Sequence, residues 1–159
     1  MDAVASPRSP RQNCPRQNWM AVLARAGADE ISALLKDLPA LPGYRRLRGP
    51  DTGLVMLRGR AGGAGAAFNL GEMTVTRCTI RTDDGLTGHA YAAGRDARQA
   101  ELAALLDAML QDPARHDAVR DAVITPLASA QQRRRDRDAR KAAATRVDFF
   151  TMATMRSGT

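Results

Sequence analysis

Residues 54–95 read LVMLRGRAGGAGAAFNLGEMTVTRCTIRTDDGLTGHAYAAGR, and the fold is decided within them. Two strand-like runs, 54–60 and 73–81, flank a loop containing Gly59, Gly62, Gly63, Gly65 and Gly71, and a third run, 86–93, follows across Asp84-Gly85. The run 73–81 carries the clearest strand signal, because Thr74, Val75, Thr76, Thr79 and Ile80 are β-branched and stiff at χ1. Asp-Gly readily supplies the positive φ that a tight turn needs, so 82–85 reads as a hairpin connection. Residues 44–48 add a first strand before Gly49-Pro50 breaks it. About four short sequential strands favour an antiparallel meander, since parallel pairing would need crossover segments that are absent here.

Helical patterns lie on both sides. Pro15 suits a first helical turn, Trp19, Val22, Leu23 and Ala26 follow at helical spacing, and Gly27 reads as a stop. Asp29 reads as the N-cap of a second helix with Ile31, Leu34, Leu35 and Leu38 on one face. Asp96 with Gln99 resembles a capping box, opening a helix whose Leu102, Leu105, Leu106, Met109 and Leu110 should lie across the sheet. Asp112-Pro113 and Thr125-Pro126 each read as a cap followed by a first-turn proline, starting two further helices. The last, over 126–146, is alanine-rich and charged, and an apolar stretch, VDFFTMATM, follows it. The expected architecture is α+β: a small antiparallel sheet covered by helices, with a C-terminal basic helix and apolar tail. The expected organisation is a disordered leader over 1–15, one domain over 16–146 and a docking tail over 147–159.

Charge is segregated along the 159 residues. Residues 1–60 carry +5, 61–130 carry −3, 131–146 carry +5 and the last thirteen carry zero, within a net charge of +7. The basic block QQRRRDRDARK has no aromatic residue, which weighs against nucleic acid, where stacking side chains usually accompany the charge. No run approaches the ~18 apolar residues of a membrane span, and the N-terminus has no apolar core of a secretory signal. With only Cys14 and Cys78, one of them in the leader, a structural disulfide is not expected, and a cytoplasmic setting is the simplest.

Candidate chemistry is sparse. The glycine loop with Arg58, Arg60, Gly62, Gly63 and Gly65 offers backbone amides and guanidinium groups to an anion, but it has no Gly-Lys-Ser/Thr and precedes a strand rather than a helix. A flexible hairpin loop lying on a partner is the simpler reading. Glu72, Arg77 and His89 fall on sheet segments and could converge as an acid, an anion binder and a base if the register allows it. His116 lies on a charged helix face and reads as solvated. Two histidines and two cysteines offer no metal-ligand spacing, and Ser32, Ser129 and Cys78 have no visible base partner. No catalytic residue is therefore assigned. An apolar tail behind a poorly amphipathic helix marks an interface, for which Arg146, Asp148, Phe149, Phe150 and Met152 are the candidates.

Four stretches, RQNWMAVLARA at 16–26, TGLVMLRGRAGGAGAAFNLGEMTVTRC at 52–78, GHAYAAGRDARQAELAALLDAMLQDP at 88–113 and KAAATRVDFFTM at 141–152, resemble in order and spacing the PhnG family of bacterial carbon–phosphorus lyase subunits. Ala66-Ala67 departs from that family, whose members often carry a proline there. The resemblance implies a small subunit of a core complex with PhnI, PhnH and PhnJ. With PhnL, PhnG, PhnH and PhnI are associated with displacing adenine from ATP by a phosphonate, giving ribose 1-phosphonate 5-triphosphate. PhnI is the expected catalytic subunit of that step. PhnJ, with its iron–sulfur cluster and S-adenosylmethionine, breaks the carbon–phosphorus bond later. No cofactor is expected in this chain, which alone should be inactive within a multi-subunit transferase.

Overall fold

Three strands form one antiparallel sheet in the order β1-β2-β3, with β1 spanning Tyr44–Gly59, β2 Phe68–Thr82 and β3 Thr87–Ala93. The computed structural model describes residues 14–38, 40–60 and 65–145. The helices are α1 (Pro15–Leu23), α2 (Ala28–Leu35), α3 (Ala97–Met109), α4 (Pro113–Val119) and α5 (Thr125–Ala144). Two compact units divide the chain, Met1–Ala128 and Ser129–Thr159. The first holds the sheet and α1–α4; in the second, the described residues are 129–145. No helix among the described residues is long and apolar enough to cross a membrane.

The architecture is α+β as expected, with three strands rather than about four. The two runs expected on either side of Gly49-Pro50 are a single strand. Register shifts at 46/48 and 48/51 absorb the proline, which cannot donate to a ladder. Gly49 sits at φ +68 within this irregularity, a conformation that glycine adopts without strain. The Asp84-Gly85 hairpin forms as expected: Gly85 has φ +88, and its N–H donates to Thr82 O at 2.9 Å.

Period-two alternation sets the two faces. Thr76, Cys78, Ile80 and Thr82 of β2 and Gly88, Ala90 and Ala92 of β3 are buried, while Arg77, Arg81, His89 and Tyr91 are exposed. The small residues of β3 let α3 approach closely. A Cβ on Gly88 would fall on the backbone carbonyl of Ala104 and lie 2.8 Å from Ala108 N. The core centres on Leu105 and Leu106 of α3, Ile80, Leu23, Ile31, Val119 and Val123.

Local signals differ from the expectations in three places. Gly27, not Asp29, caps α2: Gly27 N–H donates to Glu30 Oε2 at 3.2 Å. Asp96 caps α3 by accepting from Gln99 N–H at 3.0 Å, but the Gln99 amide turns away and donates to Leu23 O and Ala24 O, tying α3 to the end of α1. Thr125 is no cap. One π-helical turn, Arg120–Ile124, carries α4 into α5, with Thr125 N–H donating to Arg120 O. The wider turn accommodates Pro126, whose ring would clash with the carbonyl four residues back in a regular α-helix.

Candidate functional site

Beyond Val75, β1 and β2 run on as a two-stranded ribbon, 54–59 against 68–74, and β3 pairs with β2 only from Val75 to Arg81. Val55 and Gly59 are half-buried there, yet Leu54, Met56, Leu57, Phe68, Leu70 and Met73 are exposed, Leu54 by 63% and Leu70 by 59%. Pairing alternates Leu54 and Met56 onto one face and Val55, Leu57 and Met73 onto the other. Two-stranded hairpins are marginal on their own in water. A ribbon with apolar groups on both faces presents the kind of surface that marks an interface.

The predicted site residues fall into separate places. Arg58 lies near the ribbon tip, where its Nη2 donates to Ala67 O at 3.5 Å, and Arg60 is exposed just beyond. Gly65 has φ +93; Gly62 and Gly63 lie outside the described residues, as do Arg146, Asp148, Phe149, Phe150 and Met152. Arg77 pairs with Asp51 on one side and Tyr91 on the other, seven positions along β1 from Arg58, or roughly 23 Å at strand rise.

Arg77 and His89 do share a face. His89 stands opposite Thr79, with Nδ1 and Thr79 Oγ1 hydrogen-bonded at 3.1 Å. Glu72 does not join them. It is opposite Met56, five residues before Arg77, which puts it on the other face and roughly 17 Å along the strand. The register therefore does not assemble the acid, anion binder and base that it could have brought together. An apolar hollow of about 210 Å³ beside His89, lined by Met20, Ala21, Ala24, Ala90 and Ala103 among others, brings no second titratable side chain except Tyr91. Among the described residues, no three His, Cys, Asp or Glu side chains cluster as metal ligands.

The outer face holds more cations than the sequence indicated. Arg45 stands directly opposite Arg81, and Arg48 opposite Thr79. On the inner face Tyr44 and Arg46 reach α3, where Glu101 Oε1 accepts from Tyr44 Oη at 2.9 Å and from Arg46 Nε at 2.8 Å. Burial first, and then this hydrogen bond, raise the Tyr44 phenol above its ordinary value; the bond to Glu101 raises the Arg46 guanidinium. Burial raises the Cys78 thiol.

Asp107 is the buried polar centre. Its carboxylate accepts from Arg16 Nε at 3.1 Å and Nη2 at 2.7 Å, Trp19 Nε1 at 2.9 Å, His89 N at 2.9 Å and Gln111 Nε2 at 3.4 Å. Five donors saturate both oxygens, so the group binds α1, α3 and β3 together. It leaves no lone pair for chemistry. His116, expected to be solvated, is half-buried edge-on to Trp19 at 5.5 Å, and its Nδ1–H donates to Leu110 O at 2.7 Å.

Residues 14–156 match the family described as "Phosphonate metabolism protein PhnG". The chain belongs to the PhnG family. It is 44% identical over 137 residues to the alpha-D-ribose 1-methylphosphonate 5-triphosphate synthase subunit PhnG of Rhizobium meliloti (strain 1021), covering 86% of this chain and 87% of that relative. In this PhnG-family chain, Arg77 and His89 were candidates from the sequence, whereas Arg45 and Arg81, which share their face, were not. The alternation Arg77-Thr79-Arg81 was the available signal; Arg45 joins it only through the bulged register.

Proposed function

We propose that this chain is a non-catalytic, structural subunit of the carbon–phosphorus lyase core complex, with PhnI, PhnH and PhnJ as partners and PhnL at the first step. It supports displacement of adenine from ATP by a phosphonate to give ribose 1-phosphonate 5-triphosphate. The observation that carries this reading is the apolar ribbon, six exposed large side chains on a hairpin that nothing in its own chain covers among the described residues. The relative is itself named as a synthase subunit. In this reading the reacting groups belong to the partners: ATP is the substrate of the complex, and the iron–sulfur cluster and S-adenosylmethionine are held by PhnJ. The setting is the cytoplasm.

The test is co-purification of tagged full-length chain with PhnI, beside a Leu54→Ser/Leu70→Ser variant and a truncation after Thr145. Burying a leucine contributes roughly 1.5–3 kcal/mol, so losing two should cut capture at least about tenfold. Loss of capture on truncation instead would assign the contact to the tail. No capture of the full-length chain overturns the subunit reading.

A second reading gives arginines a direct role at the phosphonate or triphosphate site. Its support is that Arg77 and His89 share one exposed face. Loss of turnover by Arg77→Ala in an otherwise intact complex would establish it.

A further inference from the structure

Within its strands, the outer face of the sheet carries Arg45, Arg48, Arg77 and Arg81 and one carboxylate, Asp51, with Asp83 just beyond, over Gly43 in the hairpin turn. The Asp51 carboxylate is engaged by Arg48, at 3.4 Å. Arg45, Arg77 and Arg81 have no carboxylate within ion-pairing distance among the described residues. Arg45 and Arg81 moreover face each other directly across β1 and β2. Like charges directly opposite on a sheet are destabilising, so the isolated subunit holds an arrangement that an external anion would relieve.

We infer that this face docks onto a carboxylate-rich surface of another protein subunit of the synthase; the inference rests on the subunit reading above. Geometry favours a protein over a small anion. Arg77 and Arg81 are four residues apart on one strand, about 13 Å, with Thr79 between them. Arg45, Arg77 and Arg81 are all exposed, whereas sites for small molecules enclose most of the ligand. Acidic side chains on one strand face or successive helix turns recur every ~5–7 Å, a spacing that can meet this row of guanidinium groups. Nucleic acid fits less well, because Tyr91 is the one aromatic among these groups and base stacking usually needs several. Ionic complementarity of this kind orients a subunit and strengthens its capture at low salt, while the apolar ribbon supplies buried area.

The experiment uses tagged full-length chain co-expressed with the other synthase subunits, wild type beside Arg45→Gln/Arg77→Gln/Arg81→Gln. Complexes are captured in 0.05, 0.15 and 0.5 M NaCl, and the free variant is checked by thermal melting. The expected result is a variant that melts no lower than wild type, captures about tenfold less of the other subunits at 0.05 M, and loses the salt dependence of wild type. Should the triple variant melt lower, the single Arg77→Gln is read instead, with about a twofold to threefold loss expected. Equal capture by variant and wild type at every salt concentration overturns this inference and leaves the subunit reading standing. No capture by wild type overturns the subunit reading itself. Direct binding of tripolyphosphate or of single-stranded DNA by wild type, lost in the variant while capture is retained, reassigns the face to those ligands.

Discussion

The indole N–H of Trp19 donates to the carboxylate of Asp107 at 2.9 Å, joining residues 88 positions apart. Asp107 is fully buried, and Arg16, His89 N–H and Gln111 complete its shell. Removing the carboxylate strands these donors, although Arg16, at 38% exposure, can turn to water. Asp107→Ala should therefore cost about 3 kcal/mol in urea unfolding, and Trp19→Phe about 1 kcal/mol. Equal midpoints for Asp107→Ala and wild type would show that the shell is not a determinant of stability.

Gly88 marks the closest approach of β3 to α3. A methyl group there meets the Ala104 carbonyl, backbone that cannot rotate aside, so Gly88→Ala should lose at least about 2 kcal/mol by chemical denaturation. At Gly53, by the ribbon root, an added methyl group would meet nothing within 4 Å, so Gly53→Ala should leave the midpoint unchanged or raise it slightly.

The two thiols should separate by reactivity. Cys14 is exposed, whereas Cys78 is 2% exposed and its thiol is raised by burial. With a disulfide reagent at pH 7.5, one thiol per native chain should react rapidly, and the second only on unfolding. A rapid signal that persists in full in Cys14→Ser would contradict this placement.

Tyr44 predicts a loss of stability at alkaline pH. Its phenol is raised above the ordinary value of 10.0, first by burial and then by its bond to Glu101. As pH rises past about 10, the unfolded chain gives up this proton before the folded one does. The contribution is thus fully present below pH 10 and is lost as pH climbs through the raised folded value. Melting temperatures between pH 9.5 and 11.5 should fall more steeply for wild type than for Tyr44→Phe, with the Cys78 contribution common to both.

The parts of the fold legible in the sequence are those with local causes. The β-branched run at 73–81, the Asp84-Gly85 turn and the leucine spacing of α3 each act within about ten residues, and each forms. The continuity of β1 through Gly49-Pro50 was hidden because a proline within a run normally argues against a strand, and only the bulged pairing with β2 accommodates it. The π turn ahead of Pro126 was hidden for a similar reason: Thr-Pro is also the signature of a helix start. Asp107 reads as one charge on a helix, and its burial depends on Arg16 and Trp19, some ninety positions away. Of the site residues, the separation of Glu72 from Arg77 was already implied by their odd spacing. That Arg45 faces Arg81 follows from pairing register, which no single strand contains.

Strand β1 is held at one end, where Tyr44 and Arg46 grip Glu101, and ends at the ribbon tip at Gly59. From Leu54 to Gly59 the ribbon reaches about 17 Å at strand rise. A lever of that length converts a 10° rotation at its root into about 3 Å at its tip, approaching the width of one side-chain contact. The root is held by Thr76, whose hydroxyl bonds Thr52 Oγ1 at 3.2 Å and Gly94 O at 2.8 Å, so the angle set there bears on which apolar groups meet a partner at the far end. A substitution at Thr76, far from any contact made by Phe68 or Leu70, would be felt there as a misaligned grip.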